Sequence, residues 1–478
     1  MKHTNLFPPV ILFISLLTVY GMTLAPGLTW ANSGADGGDL ITAAAVGGVP
    51  HPTGYPVYLL LARFFQLLPI GSLAFRTNLL SALAAACASL LVYGLVSRAS
   101  QNRLAGLIAA YAFGLSPLPW SQAIITEVYT LHALFVTLIL YLSIFPLSQN
   151  IKKSDLALGL IFGLALGNHL TAIFLLPVVL ASTLSRRGNR WQLDVYSLLR
   201  RLMWMGAGLL TYLILPLRAL SHPPVNWGNP VTLKNFGWLV SAQLYQDEVF
   251  RLTLSSLGER ILSAAELLLD QFGLVGLIVS SLGLIFFFRS SSLRRDTIWI
   301  LVVFFAFAIG YATEDSFLYF IPPVMCFAIW FGLGADGLMK LISRRYLKLG
   351  ITLGLAFLIY LSALAAFHWP RVDASRDARA ERFGQLVMTQ MPANTIVFVR
   401  GDQAIFSLWY FHYALHQRQD IAVIASDLLH MDWYRDTLKS TYPSLVVSSS
   451  LPDAIISANP GRPVCIVEYD EQPLILCP

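Results

Sequence analysis

The sequence predicts a mainly α-helical protein that crosses a membrane many times and carries a small α/β domain in its C-terminal part. Of the 478 residues, 56% are hydrophobic and only 12% are charged, whereas about 25% of the residues in a soluble domain are charged. The composition changes near residue 370, where charged residues become frequent and short apolar runs alternate with helical patterns. We therefore expect a transmembrane domain over 1–369 and an extracytoplasmic α/β domain over 370–478.

Eleven apolar segments are candidates for membrane spans, because about 20 mostly apolar residues cross a bilayer as a helix. They lie near residues 7–25, 78–97, 104–119, 126–146, 156–167, 170–184, 202–219, 271–288, 297–313, 317–338 and 349–368. If the N-terminus is cytoplasmic, every inner connection contains Lys or Arg, including Lys2 and Arg289. The positive-inside rule requires this distribution, so the C-terminal domain is expected outside the cytoplasm, in a bacterial plasma membrane.

The first segment has an alternative interpretation as a cleaved signal peptide. The stretch "TLAPGLTWANSG" that follows it lacks a clean cleavage site between small residues. The sequence therefore favours a retained first span.

This topology leaves two long outer loops, over residues 26–77 and 220–270. Within the first, "PVYLLLARFFQLLP" (56–69) is apolar but only fourteen residues long, and it contains Arg63. Such a segment is too short to span comfortably, so we expect an interfacial helix.

In the C-terminal domain, "SRDARAERFGQLVMTQM" predicts an amphipathic helix. Four short runs, "TIVFVR", "IAVIA", "SLVVSS" and "PVCIVEYD", predict strands. Cys465 and Cys477 both fall in this domain, where they are either paired in a disulfide or present as two free thiols.

Polar and ionisable residues gather on the outer side of the predicted bundle. An ionisable residue at membrane depth is costly and is by default a functional candidate. The candidates are Asp36, Asp39, His51, Glu127, Tyr129, His169, Arg218, Asn226, Trp227, Glu314 and Asp315. Structural explanations also exist, because loop carboxylates can be solvated, His169 can be a packing residue, Arg218 can reach the headgroups and Trp227 can anchor at the interface.

These residue types suit glycosyl transfer from a lipid-phosphate donor. A carboxylate can accept the proton of an acceptor hydroxyl, and an arginine can hold a phosphate leaving group. The sequence contains no dedicated metal cluster, so no cofactor is expected, although a divalent metal stays open. It also has no basic stripe with interleaved aromatic residues, so we expect no nucleic-acid partner.

The stretch "GADGGDLITAAAVGGVPHPTGYPVY" (34–58) resembles the signature of a family of multi-pass membrane proteins. That family includes the eukaryotic O-mannosyltransferase acting on plexin-type receptor domains and is assigned to the GT-C type of glycosyltransferase. Also similar are "RTNLLSAL" (76–83), "TEVYTLHALF" (126–135) and "NWGNP" (226–230). Two positions depart from the signature, because Asp39 stands where the family has glutamate and Thr53 where it has a second proline.

The resemblance implies a GT-C fold, a polyprenyl-phosphate sugar as donor, mannose as the candidate sugar, and a catalytic acid in the first outer loop. Carried over to this sequence, the acidic pair is Asp36 and Asp39, with Asp36 favoured as the base and inversion at the sugar carbon. Asp39 then orients Asp36 or binds the acceptor, and His51 shapes the loop or touches the donor phosphate. Topology adds Arg218 as the phosphate holder. The predicted substrate-binding residues are His51, Tyr55, Glu127, Tyr129, His169, Arg218, Asn226, Trp227 and Asp315.

The expected partners are the lipid donor, membrane lipids, and a protein, glycan or lipid acceptor. Two other functions compete with this one. A transporter or lipid flippase would show paired repeats and charges near the bilayer midplane, and neither is visible here. A non-catalytic envelope scaffold would have little need for two acids among three glycines.

Overall fold

The computed structural model of the protein describes residues 6–148, 150–187, 190–251, 253–288 and 290–477. Lys2 and Arg289, two of the basic residues that indicate the orientation, lie outside the described residues. The first half of the chain forms the helices α1 (Phe7–Thr23), α2 (Gly37–Val46), α3 (Pro56–Gln66), α4 (Leu73–Ser100), α5 (Arg103–Gly114), α6 (Pro117–Ala123), α7 (Tyr129–Ile144), α8 (Ile151–Asn168) and α9 (Leu176–Ala181).

The helical bundle continues to residue 372, interrupted by one hairpin of β1 (Leu184–Arg187) and β2 (Arg190–Leu193). Its later helices are α10 (Val195–Leu209), α11 (Ile214–Ala219), α12 (Leu233–Val240), α13 (Leu254–Phe286), α14 (Ser291–Gly310), α15 (Ile321–Ser343) and α16 (Leu347–Val372). Short 3-10 helices cover Ala31–Asp36, Leu170–Leu175, Leu210–Leu213, Gln243–Glu248 and Glu314–Phe320.

Each of the eleven apolar segments coincides with helical structure, and the predicted mainly α-helical membrane bundle is confirmed. Among the described residues, five helices are long and apolar enough to cross a membrane, and a sixth candidate is α5 with α6, bent by 68°. The five are Leu73–Ser100, Val195–Ala219, Ser256–Phe286, Glu314–Ser343 and Lys348–Val372. The count of eleven spans stays a prediction. The predicted interfacial segment forms α3 as a separate short helix.

After α16 the chain builds a four-stranded sheet flanked by α17 (Arg379–Gln390), α18 (Asp402–Trp409), α19 (Asp432–Thr441) and α20 (Pro452–Ala458). The strands are β3 (Ile396–Val399), β4 (Ala422–Ala425), β5 (Val464–Asp470) and β6 (Gln472–Leu476), in the order β4-β3-β5-β6. β3 is parallel to β4 and β5, while β6 is antiparallel to β5. Every residue of the central strand β3 and of the edge strand β4 is buried, as expected of parallel strands that are covered on both faces.

One predicted strand is wrong. "SLVVSS" (444–449) forms no strand, because the backbone N–H of Val446 donates to the side-chain oxygen of Asn459 instead of to a neighbouring strand. The sheet gains its fourth strand from β6, which turns back directly after β5. Cys465 and Cys477 form a disulfide that joins this hairpin, which answers the question left open by the sequence.

The C-terminal domain is clamped onto the first outer loop. Asp377 Oδ2 accepts hydrogen bonds from the Thr29 hydroxyl at 2.6 Å and from the backbone N–H groups of Trp30 and Ala31 at 3.1 and 2.9 Å. Burial would raise the pKa of Asp377, but hydrogen bonds from Arg379 and Thr29 lower it to about 2. The carboxylate is therefore a stable charged anchor for this loop at neutral pH.

Helix α18 lies against α2, and Gly38 makes this close approach possible. A Cβ at position 38 would lie 2.5 Å from the backbone oxygen of Phe406. Main-chain atoms cannot rotate aside as the end of a side chain can, so any larger residue must push the two helices apart.

We therefore expect Gly38→Ala to destabilise the protein by about 1–3 kcal/mol, the usual cost of overpacking. The measurement is the midpoint of thermal unfolding of the detergent-solubilised protein. Gly206→Ala is the matched control, because a Cβ at this helical position meets nothing within 4 Å. If Gly38→Ala unfolds at the same temperature as Gly206→Ala, the close packing of α2 on α18 does not hold the domains together.

Candidate active site

A cavity of about 630 Å³ lies where the first outer loop meets the bundle and the C-terminal domain. Its walls come from segments within residues 33–36, 51–55, 127–129, 169–174, 241–249, 307–319 and 402–403. Because these segments are distant in the sequence, the cavity exists only in the folded chain.

The centre of the site is a line of three side chains, Asp39, His51 and Asp36. Asp39 has no exposed surface, and its Oδ2 accepts hydrogen bonds from the backbone N–H and the Nδ1 of His51, at 2.9 and 2.7 Å. On the other side of the ring, His51 Nε2 lies 3.6 Å from Asp36 Oδ2. The side chain of Asp36 keeps 39% of its surface exposed, and it lines the cavity. The two acids thus have different positions, one behind the histidine and one facing the cavity.

The electrostatics of this line favour an ionised pair at neutral pH. Burial raises the pKa of Asp36 to about 6, with His51 opposing the rise and the nearby acids Asp402 and Asp315 adding to it. Burial would lower the pKa of His51, but Asp36 and Asp39 raise it to about 9. The Asp36 side chain faces a half-open cavity, so its carboxylate is accessible from the cavity although the surrounding protein raises its pKa. A carboxylate with a pKa near the working pH is suited to accept a proton.

The local sequence explains how the two acids come to this place. Asp36 directly precedes α2, and Asp39 lies in its first turn, where the helix dipole favours negative charge. After α2, the chain turns back and pairs with the second outer loop. The N–H of Val49 donates to Val225 O at 2.9 Å, and the N–H of Trp227 donates to Val49 O at 3.1 Å. The two motifs recognised in the sequence are therefore neighbours in space.

Seven of the eleven predicted catalytic and substrate-binding residues line the cavity, namely Asp36, His51, Tyr55, Glu127, Tyr129, His169 and Asp315, and so does the further candidate Glu314. The hydroxyl of Tyr129 donates to Asp315 Oδ2 at 3.1 Å. The ring of His169 lies 5.8 Å from that of Tyr129 and 6.1 Å from that of Tyr55, centre to centre. The polar groups proposed from topology thus form one continuous wall, and their individual roles stay predictions.

The other four predicted residues lie outside the cavity wall. Asp39 is behind His51, and Trp227 Nε1 donates to Asp39 Oδ1 at 3.3 Å. Asn226 is buried and its amide donates to Asn229 Oδ1 at 3.2 Å. Arg218 Nη1 donates to the backbone oxygen of Gly48 at 3.1 Å. In this structure all four support the loops around the site.

The sequence interpretation missed several cavity residues, notably Tyr245, Tyr319, Asp402 and Gln403. Burial raises the pKa of Asp402, and the charge of His51 opposes this rise. The sequence contains a signal for Asp402, because "GDQ" (401–403) directly follows the predicted strand "TIVFVR". The carboxyl ends of parallel strands commonly form ligand sites.

The cavity is acidic. Within the described part of the chain, none of its lining residues is Lys or Arg, while five are carboxylic acids: Asp36, Glu127, Glu314, Asp315 and Asp402. The same described residues contain no group of three His, Cys, Asp or Glu side chains arranged to hold a metal ion. His51 is therefore the candidate cation at the centre of the site.

Comparison with known families gives two matches along the chain. Residues 36–192 match the N-terminal domain of protein O-mannosyl-transferase TMEM260, and residues 380–467 match TMEM260-associated domain 2. Protein O-mannosyl-transferase TMEM260 of Mus musculus is 29% identical over 94% of this chain, which spans 68% of the length of that relative. The Dictyostelium discoideum protein of the same name is 25% identical over 95% of this chain, which spans 62% of its length.

Solved structures with a similar fold include ArnT from Cupriavidus metallidurans. Its form bound to undecaprenyl phosphate has a TM-score of 0.61 at 12% identity, covering 97% of this chain and 93% of ArnT. The apo form has a TM-score of 0.57 at 13% identity, with the same coverage. At this identity the likeness concerns the fold, which is of the GT-C type. Two TMEM260 domains are thus matched along a chain with this fold, and these similarities indicate a membrane glycosyltransferase.

Proposed function

We propose that this protein transfers mannose from a polyprenyl-phosphate donor to a hydroxyl group of a protein on the extracytoplasmic face, with Asp36 as the general base. The observation that carries the proposal is the position of Asp36. The Asp36 side chain lines the cavity and lies next to His51, and the buried carboxylate of Asp39 holds this histidine in place. The names of the relatives support mannose and a protein acceptor. The undecaprenyl phosphate bound to the similarly folded ArnT supports the lipid donor.

In the proposed reaction the acceptor hydroxyl donates its hydrogen bond to Asp36. The carboxylate takes the proton while the hydroxyl oxygen attacks the anomeric carbon from the face opposite the phosphate. The bond from this carbon to the phosphate oxygen breaks, and its electron pair leaves with the polyprenyl phosphate. A single displacement of this kind inverts the sugar carbon.

His51 serves two parts of this proposal. Its positive charge stabilises the ionised form of Asp36 before the reaction. Because the described cavity lining contains no Lys or Arg, His51 is also the candidate cation for the negative charge that develops on the leaving phosphate. Arg218 donates to the carbonyl of Gly48 and does not line the cavity. We therefore assign the phosphate contact to His51, and Asp39 acts as its positioning residue.

The proposed orientation has the N-terminus in the cytoplasm and the C-terminal domain outside. The disulfide Cys465–Cys477 supports it, because disulfides persist in oxidising compartments. The family similarity favours the enzyme over the transporter and the scaffold that were considered from the sequence.

Asp36→Asn is expected to lower kcat by about 10²–10⁴-fold, the usual contribution of a general base. The assay follows release of polyprenyl phosphate from polyprenyl-phosphate mannose with a peptide rich in Ser and Thr as acceptor. Glu259→Gln, on an exposed outer residue away from the cavity, is the control and should keep full activity. Full activity of a folded Asp36→Asn protein would reject Asp36 as the base.

The pH profile of kcat/KM should be bell-shaped. Below pH about 6, Asp36 is protonated and cannot accept the hydroxyl proton, so the rate falls with falling pH. Above pH about 9, His51 loses its proton and its charge, so the rate falls with rising pH. In Asp39→Asn the alkaline limb should move to lower pH, because Asp39 raises the pKa of His51. An alkaline limb unchanged in Asp39→Asn contradicts the positioning role.

Reporter fusions test the orientation. Alkaline phosphatase fused after residue 478 should be active in intact cells, whereas a green fluorescent protein at the same place should stay dark. The opposite pair of results would mean that the C-terminal domain is cytoplasmic.

A further inference from the structure

The C-terminal domain supplies two polar side chains to the active-site cavity, Asp402 and Gln403. They begin α18, directly after the carboxyl end of the buried strand β3. The turn between β3 and α18 is fixed by the backbone N–H of Gly401, which donates a hydrogen bond to Asp427 Oδ2 at 3.0 Å. The sheet of the C-terminal domain thus carries both residues to the cavity in a defined position.

The two side chains are not occupied by direct polar contacts within the described protein. Asp402 and Gln403 are exposed to the cavity, and within the described residues neither side chain makes a hydrogen bond or an ion pair. The proposed transfer step does not use them either. A free carboxylate and a free amide are therefore available to a bound molecule.

Their distance from the reacting groups is set by packing. The ring of Phe406, one turn further along α18, stacks on the ring of His51 with centres 6.4 Å apart and planes 17° apart. On α2, Gly38 lies against the backbone of Phe406. The same helix therefore contacts both the base-bearing loop and the histidine, so Asp402 and Gln403 cannot move independently of Asp36.

The chemistry of the two walls separates the two substrates. The bundle supplies an apolar part of the wall, with Leu170, Ile173, Phe174, Phe307 and Leu318, which suits a lipid-borne donor. It also supplies the acids Glu127, Glu314 and Asp315. The wall from the C-terminal domain is polar and, at Asp402, negatively charged. A carboxylate repels the phosphate of the donor, but it accepts hydrogen bonds from hydroxyl and amide N–H groups.

We propose that Asp402 and Gln403 form the acceptor subsite, where Asp402 accepts hydrogen bonds from hydroxyl and backbone N–H groups of an acceptor peptide and Gln403 pairs with its amides. This inference rests on the proposed function and assigns the acceptor-binding part of the site to the C-terminal domain. The two residues are specificity determinants, since neither takes part in bond making.

The test separates acceptor binding from donor chemistry. We expect Asp402→Asn to raise the KM for a Ser/Thr-rich peptide about tenfold, because a hydrogen bond to a charged carboxylate becomes a weaker one to a neutral amide. The KM for polyprenyl-phosphate mannose should change much less than the KM for the peptide. Gln403→Ala should raise the same KM by a smaller factor. The matched control is Asp436→Asn, which changes an exposed ion pair on α19 far from the cavity.

A second measurement requires no catalysis. In the Asp36→Asn background, the dissociation constant of the peptide should rise about tenfold on adding Asp402→Asn and stay unchanged on adding Asp436→Asn. Equal peptide binding with and without Asp402→Asn, or no binding to either protein, overturns the acceptor subsite. Wild-type protein that binds the peptide in an Asp402-dependent way but never mannosylates it leaves the subsite standing and rejects the proposed function.

Discussion

The carboxylate of Asp39 is buried without exposed surface, and the hydrogen bonds that compensate its burial organise the whole site. It accepts from the backbone and the ring of His51 and from the indole of Trp227. A buried charge without such partners would cost several kcal/mol, so the loops carrying these donors must close around it. Closing them joins the first outer loop to the second and turns the free nitrogen of His51 toward Asp36. The buried Asp39 thus determines the position of His51 next to Asp36.

The C-terminal domain belongs to this arrangement as a structural part of the site. Asp377 accepts hydrogen bonds from the loop that precedes Asp36, and the ring of Phe406 stacks on the ring of His51. The absence of a side chain on Gly38 permits this contact. A domain attached by its chain alone could swing freely, whereas one that contacts the catalytic loop at several points can form a wall of the cavity. Substrate selection and catalysis are therefore coupled through α2 and α18.

The acidity of the cavity limits which molecules can bind there and where a negatively charged group can lie. Five carboxylic acids around one imidazolium disfavour an anion anywhere except next to His51. A lipid phosphate is then directed to one place, and hydroxyl-bearing groups are favoured along the remaining walls. This division agrees with the apolar part of the bundle wall, from Leu170 to Phe174 and at Phe307 and Leu318, and with the polar pair Asp402 and Gln403 on the side of the C-terminal domain.

The sequence by itself determined the membrane class, the helical segments, the strands β3, β4 and β5 of the four-stranded sheet, and the motif that holds both acids. These features depend on composition and on patterns between near neighbours, which a sequence displays directly. Only the tertiary structure decided that Asp36 faces the cavity while Asp39 lies behind His51, that Arg218 holds a loop, and that Asp402 joins the site. Each of these depends on contacts between segments up to several hundred residues apart, such as Gly38 with Phe406. Packing between distant segments is set by the shape of the folded chain, and no local pattern encodes it.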